Sequence, residues 1–336
     1  MQDNLIFVIG SPRSGSTMLA RMIGSHSLIY NRPEPHLLTP LAHLGYFANV
    51  DKAPFDHILA AEALRELVHD LPGGESDYVA ACRAYADALY AGMLASKPGK
   101  RFFLDKTPAY GLVLDFIARL YPQARYVVLT RHPLAIFSSF AESFFDGNYR
   151  VAHEHNPITE RYVPAIADFL RRKPAPVFHV VYEQLVADPE AWLRRIFEFV
   201  GVPHEPGAVD YGEHEHEQKG LGDPIGVKQH SRPTTASIDK WAVEIAADPE
   251  RLRLCRDIVA RLDPADLAVW GHPLETFWQP LEAAGAANLA PRPKKLDRYR
   301  LQRRLIVLLR EQVRRHPALR KPLRQLRLAA DVLLRE

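Results

Sequence analysis

The sequence predicts an α/β fold with a central parallel sheet that is flanked by helices on both faces. Four short runs, at 5–9, 101–104, 126–130 and 177–182, are rich in β-branched and aromatic residues. Apolar runs of this kind, separated by helical patterns, are typical of parallel strands that are covered on both sides. The third run, Tyr-Val-Val-Leu-Thr, has no polar alternation and is predicted to be central.

Helical periodicity fills most of the sequence between these strands. Two long irregular stretches are predicted to be functional loops. Residues 28–56 contain several prolines, and residues 203–235 are rich in Gly, His and Pro without a clear period. The predicted helices are 15–27, 76–96, 111–121, 133–145, 158–172 and 189–200.

Charge divides the chain into two parts. The net charge is only +3, yet residues 292–336 hold 15 Lys and Arg against four Asp and Glu, a local charge of +11 on an otherwise acidic chain. We therefore predict a domain over 1–282 and, over 283–336, a linker with a basic amphipathic helical extension. This tail could fold against the acidic body, also across a homo-oligomer, dock an acidic carrier protein or touch an anionic membrane.

Composition excludes several classes of protein. Cys82 and Cys255 are too few for a disulfide framework. The sequence has neither a secretory signal pattern nor a run of about 20 apolar residues, which predicts a cytoplasmic protein without a transmembrane segment. Nucleic-acid binding is not expected, because the basic tail is nearly devoid of aromatic residues.

The strongest motif is Gly10-Ser-Pro-Arg-Ser-Gly15-Ser16-Thr17, which follows the first strand and opens a helix. This placement aims backbone N–H groups at an anion, so the sheet is predicted to be of the P-loop type. The lysine of a nucleotide triphosphatase is absent, since Ser16 stands at its position and the cation is Arg13. The magnesium-holding Asp is also absent after the third strand, where Thr130-Arg131 stands instead.

Arg131 begins a second anion site. It precedes a predicted helix that carries Ser139, and an arginine with a hydroxyl at a helix start suits a phosphate. Two phosphate sites at one sheet edge predict a nucleotide that bears both 5′ and 3′ phosphates.

These motifs resemble those of the sulfotransferases that use 3′-phosphoadenylylsulfate (PAPS). Ser11-Pro-Arg-Ser-Gly-Ser-Thr17 is similar to their 5′-phosphosulfate loop, and Arg131 with Ser139 to their 3′-phosphate pair. The likeness extends from residue 5 to about 241. Further matching segments are Leu104-Asp-Lys-Thr-Pro-Ala-Tyr-Gly111, Val181-Tyr-Glu-Gln-Leu-Val-Ala-Asp-Pro189, Phe199-Val-Gly-Val-Pro203, Gly220-Leu-Gly-Asp-Pro224 and Ser237-Ile-Asp-Lys-Trp241.

One branch resembles the sequence most, the sulfotransferase domains of polyketide and olefin synthases, which sulfate an acyl chain on a carrier protein. The resemblance implies PAPS as cosubstrate, no metal, and a hydroxyl acceptor that is a small molecule or a carrier-bound acyl chain. The implied PAPS-binding residues are Arg13, Ser14, Gly15, Ser16, Thr17, Arg131, Ser139 and Lys240.

The implied catalytic residues are Arg13 and Lys106, which would neutralise the sulfuryl group, and a general base. The base histidine of aryl and steroid sulfotransferases is absent, because Pro108 occupies its position. Sulfotransferases with a carboxylate base carry it in this region, so the resemblance implies Glu34 as the favoured candidate and His36 as the second. Both point the same way if the segment is extended, which suits a shared site. Alternatively, Glu34 only pairs with Arg32, or His36 only caps a helix.

Two further features of the sequence have more than one interpretation. Trp241 could stack on adenine or belong to the core, and His214-Glu-His216 is interpreted as a solvated loop rather than a zinc site. Apolar residues near the site favour an acyl or aromatic acceptor. Rival functions are a P-loop kinase with a degenerate loop and a nucleotide-binding scaffold without turnover. The apolar residues are Leu37, Leu38, Phe47, Phe140, Phe144 and Phe145.

Overall fold

A computed structural model describes residues 1–35, 37–43, 57–214, 231–235 and 238–286, together with scattered positions between 301 and 322. Its centre is a five-stranded sheet with the order β2-β3-β1-β4-β5, in which every neighbouring pair is parallel. The strands are β1 (Leu5–Ile9), β2 (Ile29–Pro33), β3 (Phe102–Lys106), β4 (Arg125–Thr130) and β5 (Val177–Val181).

Helices connect the strands and cover the sheet. The N-terminal half contains α1 (Ser16–Gly24), α2 (Leu38–Ala42), α3 (His57–Asp70), α4 (Glu75–Ala95), α5 (Leu114–Leu120), α6 (Pro133–Phe145) and α7 (Tyr149–His155). The rest contains α8 (Ile158–Arg172), α9 (Tyr182–Ala187), α10 (Pro189–Val200), α11 (Lys240–Ala246), α12 (Pro249–Val259), α13 (Pro264–Trp270), α14 (Leu274–Phe277) and α15 (Gln279–Ala286).

Two hydrophobic cores lie on opposite faces of the sheet, because successive side chains of a strand alternate between faces. Phe7 of β1 belongs to one core, with residues of α4, α5, α6 and α8. Ile6 and Val8 belong to the other, with residues of α1, α9 and α10. The predicted α/β class, with helices on both faces of a parallel sheet, is confirmed.

The structure corrects the predicted elements at two points. The prediction that segment 28–56 contains no regular element is wrong for β2 and α2. β4 is an interior strand between β1 and β5, but the central position belongs to β1. The six predicted helices all correspond to helices of the structure, with ends that shift by up to three residues.

The C-terminal part is described only in places. Helix α15 continues to Ala286, four residues beyond the predicted end of the domain, and Ala284 is buried. The described positions from Leu301 to Gln312 are helical. The domain boundary itself stays a prediction.

Candidate active site

The loop that joins β1 to α1 has the geometry of an anion site. Helix α1 begins at Ser16, so its first N–H groups face the loop. Gly15 has φ +94°, and a Cβ at this position would lie 2.7 Å from the ring of Tyr182, so the turn requires glycine. The hydroxyl oxygens of Ser11 and Ser14 are buried and find no hydrogen-bond partner among the described residues. Hydroxyls left unsatisfied in such a loop fit an anionic ligand.

Arg13, Ser139 and Arg131 meet beside this loop. Arg13 Nε donates to Ser139 Oγ over 3.1 Å, which connects the loop to α6. Arg131 Nη1 donates to the backbone oxygen of Arg13 over 3.3 Å. The structure therefore brings the predicted 3′-phosphate pair into direct contact with the predicted 5′ loop.

Arg131 is half-buried beside an aromatic ring. Its guanidinium carbon lies 4.4 Å from the ring centroid of Tyr182, the same ring that packs against Gly15. Burial, with a smaller contribution from the neighbouring charge of Arg13, lowers the pKa of Arg131. A bound anion would relieve the cost of keeping this cation out of water. Tyr182 lies in a segment that matches the family motifs, yet sequence reasoning assigned it no role.

Glu34, Lys106 and Thr17 form a second group on the other side of the loop. Lys106 is the last residue of β3 and only 2% exposed. Its Nζ donates to Thr17 Oγ1 over 3.2 Å and to Glu34 Oε1 in a direct ion pair. The register of the sheet explains the pair, because Pro33 of β2 lies opposite Lys106 and Glu34 follows it. The interpretation that Glu34 serves only to pair with Arg32 therefore does not describe its surroundings.

Asp105, the neighbour of Lys106, is a buried carboxyl whose contacts the sequence did not reveal. It is fully buried and accepts hydrogen bonds from the hydroxyls of Tyr90 (2.6 Å), Tyr110 (2.9 Å) and Thr107 (3.0 Å). Burial raises the pKa of Asp105 to about 6, although these hydrogen bonds and Lys106 lower it. Tyr110 also accepts the backbone N–H of Leu38 over 3.0 Å. Asp105 thus ties β3 to the far end of the segment that begins at Glu34.

His132 anchors the start of α6, directly after Arg131. Its Nδ1 accepts the N–H of Leu134 (3.3 Å), which leaves Nε2 to donate to the backbone oxygen of Phe277 (3.0 Å). Burial lowers the pKa of His132 to about 3, so the ring is neutral. Trp241 is buried and stacks on this ring, with the two ring centroids 4.2 Å apart. The carboxylate of Glu183 accepts the backbone N–H of His132. The role of His132 is structural, and Trp241 belongs to the core.

The carboxyl edge of the sheet thus collects two arginines, a lysine and a carboxylate around a loop built for an anion. A model of the sulfotransferase family matches residues 5–206, more than half of the chain. The chain belongs to the sulfotransferase family. The predicted enzyme class is confirmed, and the protein is a sulfotransferase, an enzyme that transfers sulfuryl groups.

Two relatives and one solved structure are similar to this sulfotransferase over most of its length. The nodulation protein NoeE of Sinorhizobium fredii (strain NBRC 101917 / NGR234) is 29% identical over 323 residues, which cover 88% of this chain and 71% of that protein. Protein-tyrosine sulfotransferase 1 of Danio rerio is 22% identical over 87% of this chain and 80% of its own length. The sulfotransferase domain of the Synechococcus PCC 7002 olefin synthase is 28% identical, with a TM-score of 0.49, over 76% of this chain and 94% of that one.

Three further predictions for this sulfotransferase have different outcomes. His36 and Phe47 lie outside the described residues. Lys240 is 62% exposed at the start of α11 and lies 3.9 Å from Glu244, so its contact with a nucleotide stays a prediction. Of the apolar residues near the site, Phe144 is 39% exposed, with its ring centroid 6.0 Å from the guanidinium carbon of Arg13.

Leu38, Phe140 and Phe145 are buried in the core. Among the described residues, no group of three or more His, Cys, Asp or Glu side chains is arranged to hold a metal ion. In the same part of the chain, every helix is too short or too polar to cross a membrane.

Proposed function

We propose that this sulfotransferase transfers the sulfuryl group of PAPS to a hydroxyl group of a small-molecule or acyl acceptor. The observation that carries the proposal is the hydrogen bond between Arg13 and Ser139, with Arg131 on the backbone of Arg13. This contact supports two neighbouring phosphate-binding groups at the sheet edge, where ligands bind in α/β folds. A nucleotide with a phosphate at each end of its ribose matches this pair.

The loop holds the 5′-phosphosulfate, and α6 holds the 3′-phosphate. Arg13 and the segment Ser14–Thr17 supply charge, N–H groups and hydroxyls to the first group. Arg131 and Ser139 bind the second. Gly15 and the Tyr182 ring shape the wall between them.

The chemical step is an in-line displacement at sulfur. The acceptor oxygen forms a bond to sulfur while the bond from sulfur to the bridging oxygen of the 5′-phosphate breaks. Adenosine 3′,5′-bisphosphate leaves with that oxygen and its electron pair. Lys106 and Arg13 stabilise the charge that develops on the leaving oxygen and the sulfuryl group.

Glu34 removes the proton of the acceptor hydroxyl. Its carboxylate lies against Lys106, which is bonded to Thr17 of the phosphate loop, so base, cation and loop form one continuous contact. A general base must reach the reacting proton in this way. Phe144, exposed beside Arg13, provides an apolar surface for an aromatic or acyl acceptor.

The test is transfer of labelled sulfate from PAPS to a panel of free alcohols, phenols and β-hydroxyacyl carrier proteins. We expect sulfate transfer from PAPS and no phosphate transfer from ATP with Mg²⁺. Phosphate transfer from ATP would instead support a kinase. Glu34→Gln should lower kcat by about 10²- to 10⁴-fold, because the amide cannot accept the proton.

The matched control is Glu62→Gln, which changes an exposed carboxylate on α3 and should retain full activity. Calorimetry should show that Glu34→Gln still binds adenosine 3′,5′-bisphosphate. Full activity of the double variant Glu34→Gln/His36→Ala would refute the assignment of the base to this segment. Binding of the bisphosphate without turnover on any acceptor would favour a scaffold.

A further inference from the structure

A stripe of leucines on the C-terminal tail is open to solvent. Leu301, Leu305, Leu308 and Leu309 are each more than half exposed, at 60%, 57%, 52% and 56%. Their positions are helical. The spacing i, i+4, i+7, i+8 places all four side chains on one face of the helix. Single exposed leucines are common on protein surfaces, but four adjacent ones form an apolar patch of the kind that marks an interaction site.

The opposite side of the same helix contacts the domain. Val307 is only 7% exposed and packs in the core cluster on the α4–α8 side of the sheet. At 3.6 residues per turn, Val307 lies about 200° around the axis from Leu305. Among the described residues, contact of this helix with the body through Val307 therefore leaves the leucine stripe uncovered.

Charge selects the surface that fits this stripe. Residues 292–336 carry a net charge of +11, and the rest of the chain is acidic. A second copy of the tail would place two strongly positive segments against each other, which opposes pairing. An anionic lipid surface offers both an apolar layer for the leucines and negative charge for the surrounding Lys and Arg side chains.

We propose that the tail helix binds an anionic membrane surface, with Leu301, Leu305, Leu308 and Leu309 inserted among the lipid chains. The helix lies in the plane of the interface and does not span it. Contact is confined to the tail, since the acidic remainder of the chain is repelled by anionic headgroups. Membrane binding by the tail is independent of the proposed reaction.

The test is co-sedimentation of the full chain with vesicles of phosphatidylcholine alone or with about 30% phosphatidylglycerol. We expect about tenfold or more stronger binding to the anionic vesicles, which weakens as salt is added. The variant Leu301→Glu/Leu305→Glu should reduce this binding by about tenfold or more, because it places charge in the inserted stripe.

Leu67→Glu/Leu89→Glu is the matched control. These leucines are 60% and 43% exposed on α3 and α4, outside the tail, and their substitution should leave vesicle binding unchanged. Equal binding to both kinds of vesicle, or binding that the tail variant does not weaken, would overturn the proposal. So would a tail variant that dissociates a dimer in light scattering while it still binds the vesicles.

Discussion

Asp105 and Lys106 are consecutive residues of β3 that serve the two faces of the sheet. Because side chains alternate along a strand, Lys106 meets Thr17 and Glu34 while Asp105 meets Tyr90 and Tyr110 on the other face. Burial raises the pKa of both tyrosine hydroxyls well above the ordinary value, so both keep their protons and donate to the carboxylate. These two adjacent residues therefore connect the candidate active site on one face of the sheet to the hydrophobic core on the other face.

The buried carboxyl of Asp105 predicts a pH dependence of stability. Its pKa in the folded chain is about 6, above the 3.8 of a free Asp. The folded state therefore holds the proton more tightly, and this contribution to stability is present below pH 4 and lost as the pH rises through 6. Relative to Asp105→Asn, which does not titrate, the wild-type free energy of unfolding should fall by about 2 kcal/mol from pH 4 to pH 7.

Urea denaturation of both proteins across this range measures the difference. Asp257→Asn, at an exposed position on α12, is the control and should keep the wild-type pH dependence, because it retains Asp105. A wild-type curve parallel to that of Asp105→Asn would contradict the assigned pKa.

The first strand, the loop and α1 form the element on which the proposed nucleotide site depends. Gly15 adopts φ +94° at the N-cap of α1, and the ring of Tyr182 fills the space where a side chain would start. Tyr182 in turn covers Arg131. One turn of backbone thus sets the position of both anion-binding groups.

Gly15→Ala should destabilise the protein by about 1–3 kcal/mol, because it combines a left-handed backbone with a clash against the ring. Thermal unfolding measures the loss. Gly92→Ala is the matched control, since it lies within helix α4 with open space around it, and it should stabilise by about 0.5–1 kcal/mol. A Gly15→Ala protein as stable as the wild type would refute this account of the turn.

Sequence patterns predict four of the five strands, including the edge strand β5, but miss the other edge strand, β2. Runs such as Leu5–Ile9 and Tyr126–Thr130 show no polar alternation because helices cover both of their faces. β2, Ile-Tyr-Asn-Arg-Pro, is an edge strand that pairs with β3 among the described strands. Its polar residues and its proline do not form the apolar run by which the other strands were predicted. The contact of Glu34 with Lys106 follows from that pairing, so the sequence alone suggested Glu34 as the base but not its partner.

Interactions between distant residues escape sequence reasoning for the same reason. Asp105 depends on Tyr90, which lies 15 residues earlier on α4, and Arg131 depends on Tyr182, 51 residues later. Each of these residues is ordinary in its own segment. Their roles arise only when the parallel strands align their carboxyl ends.

Across the whole molecule, the net charge of +3 is the sum of parts with separate tasks. Arg13, Lys106 and Arg131 concentrate positive charge at the sheet edge of an acidic body, where we propose that a doubly phosphorylated nucleotide binds. The +11 tail acts elsewhere and, in our proposal, on lipid. Affinity for the nucleotide and affinity for a membrane should therefore vary independently.

Calorimetric titration with adenosine 3′,5′-bisphosphate and with adenosine 5′-monophosphate tests the central claim most directly. The two ligands differ only in the 3′-phosphate, which we assign to Arg131 and Ser139. Charge-assisted hydrogen bonds to that group should make the bisphosphate bind about 10- to 100-fold more tightly. Equal affinity for the two nucleotides, or no binding of the bisphosphate, would contradict the assignment of a paired 5′ and 3′ phosphate site.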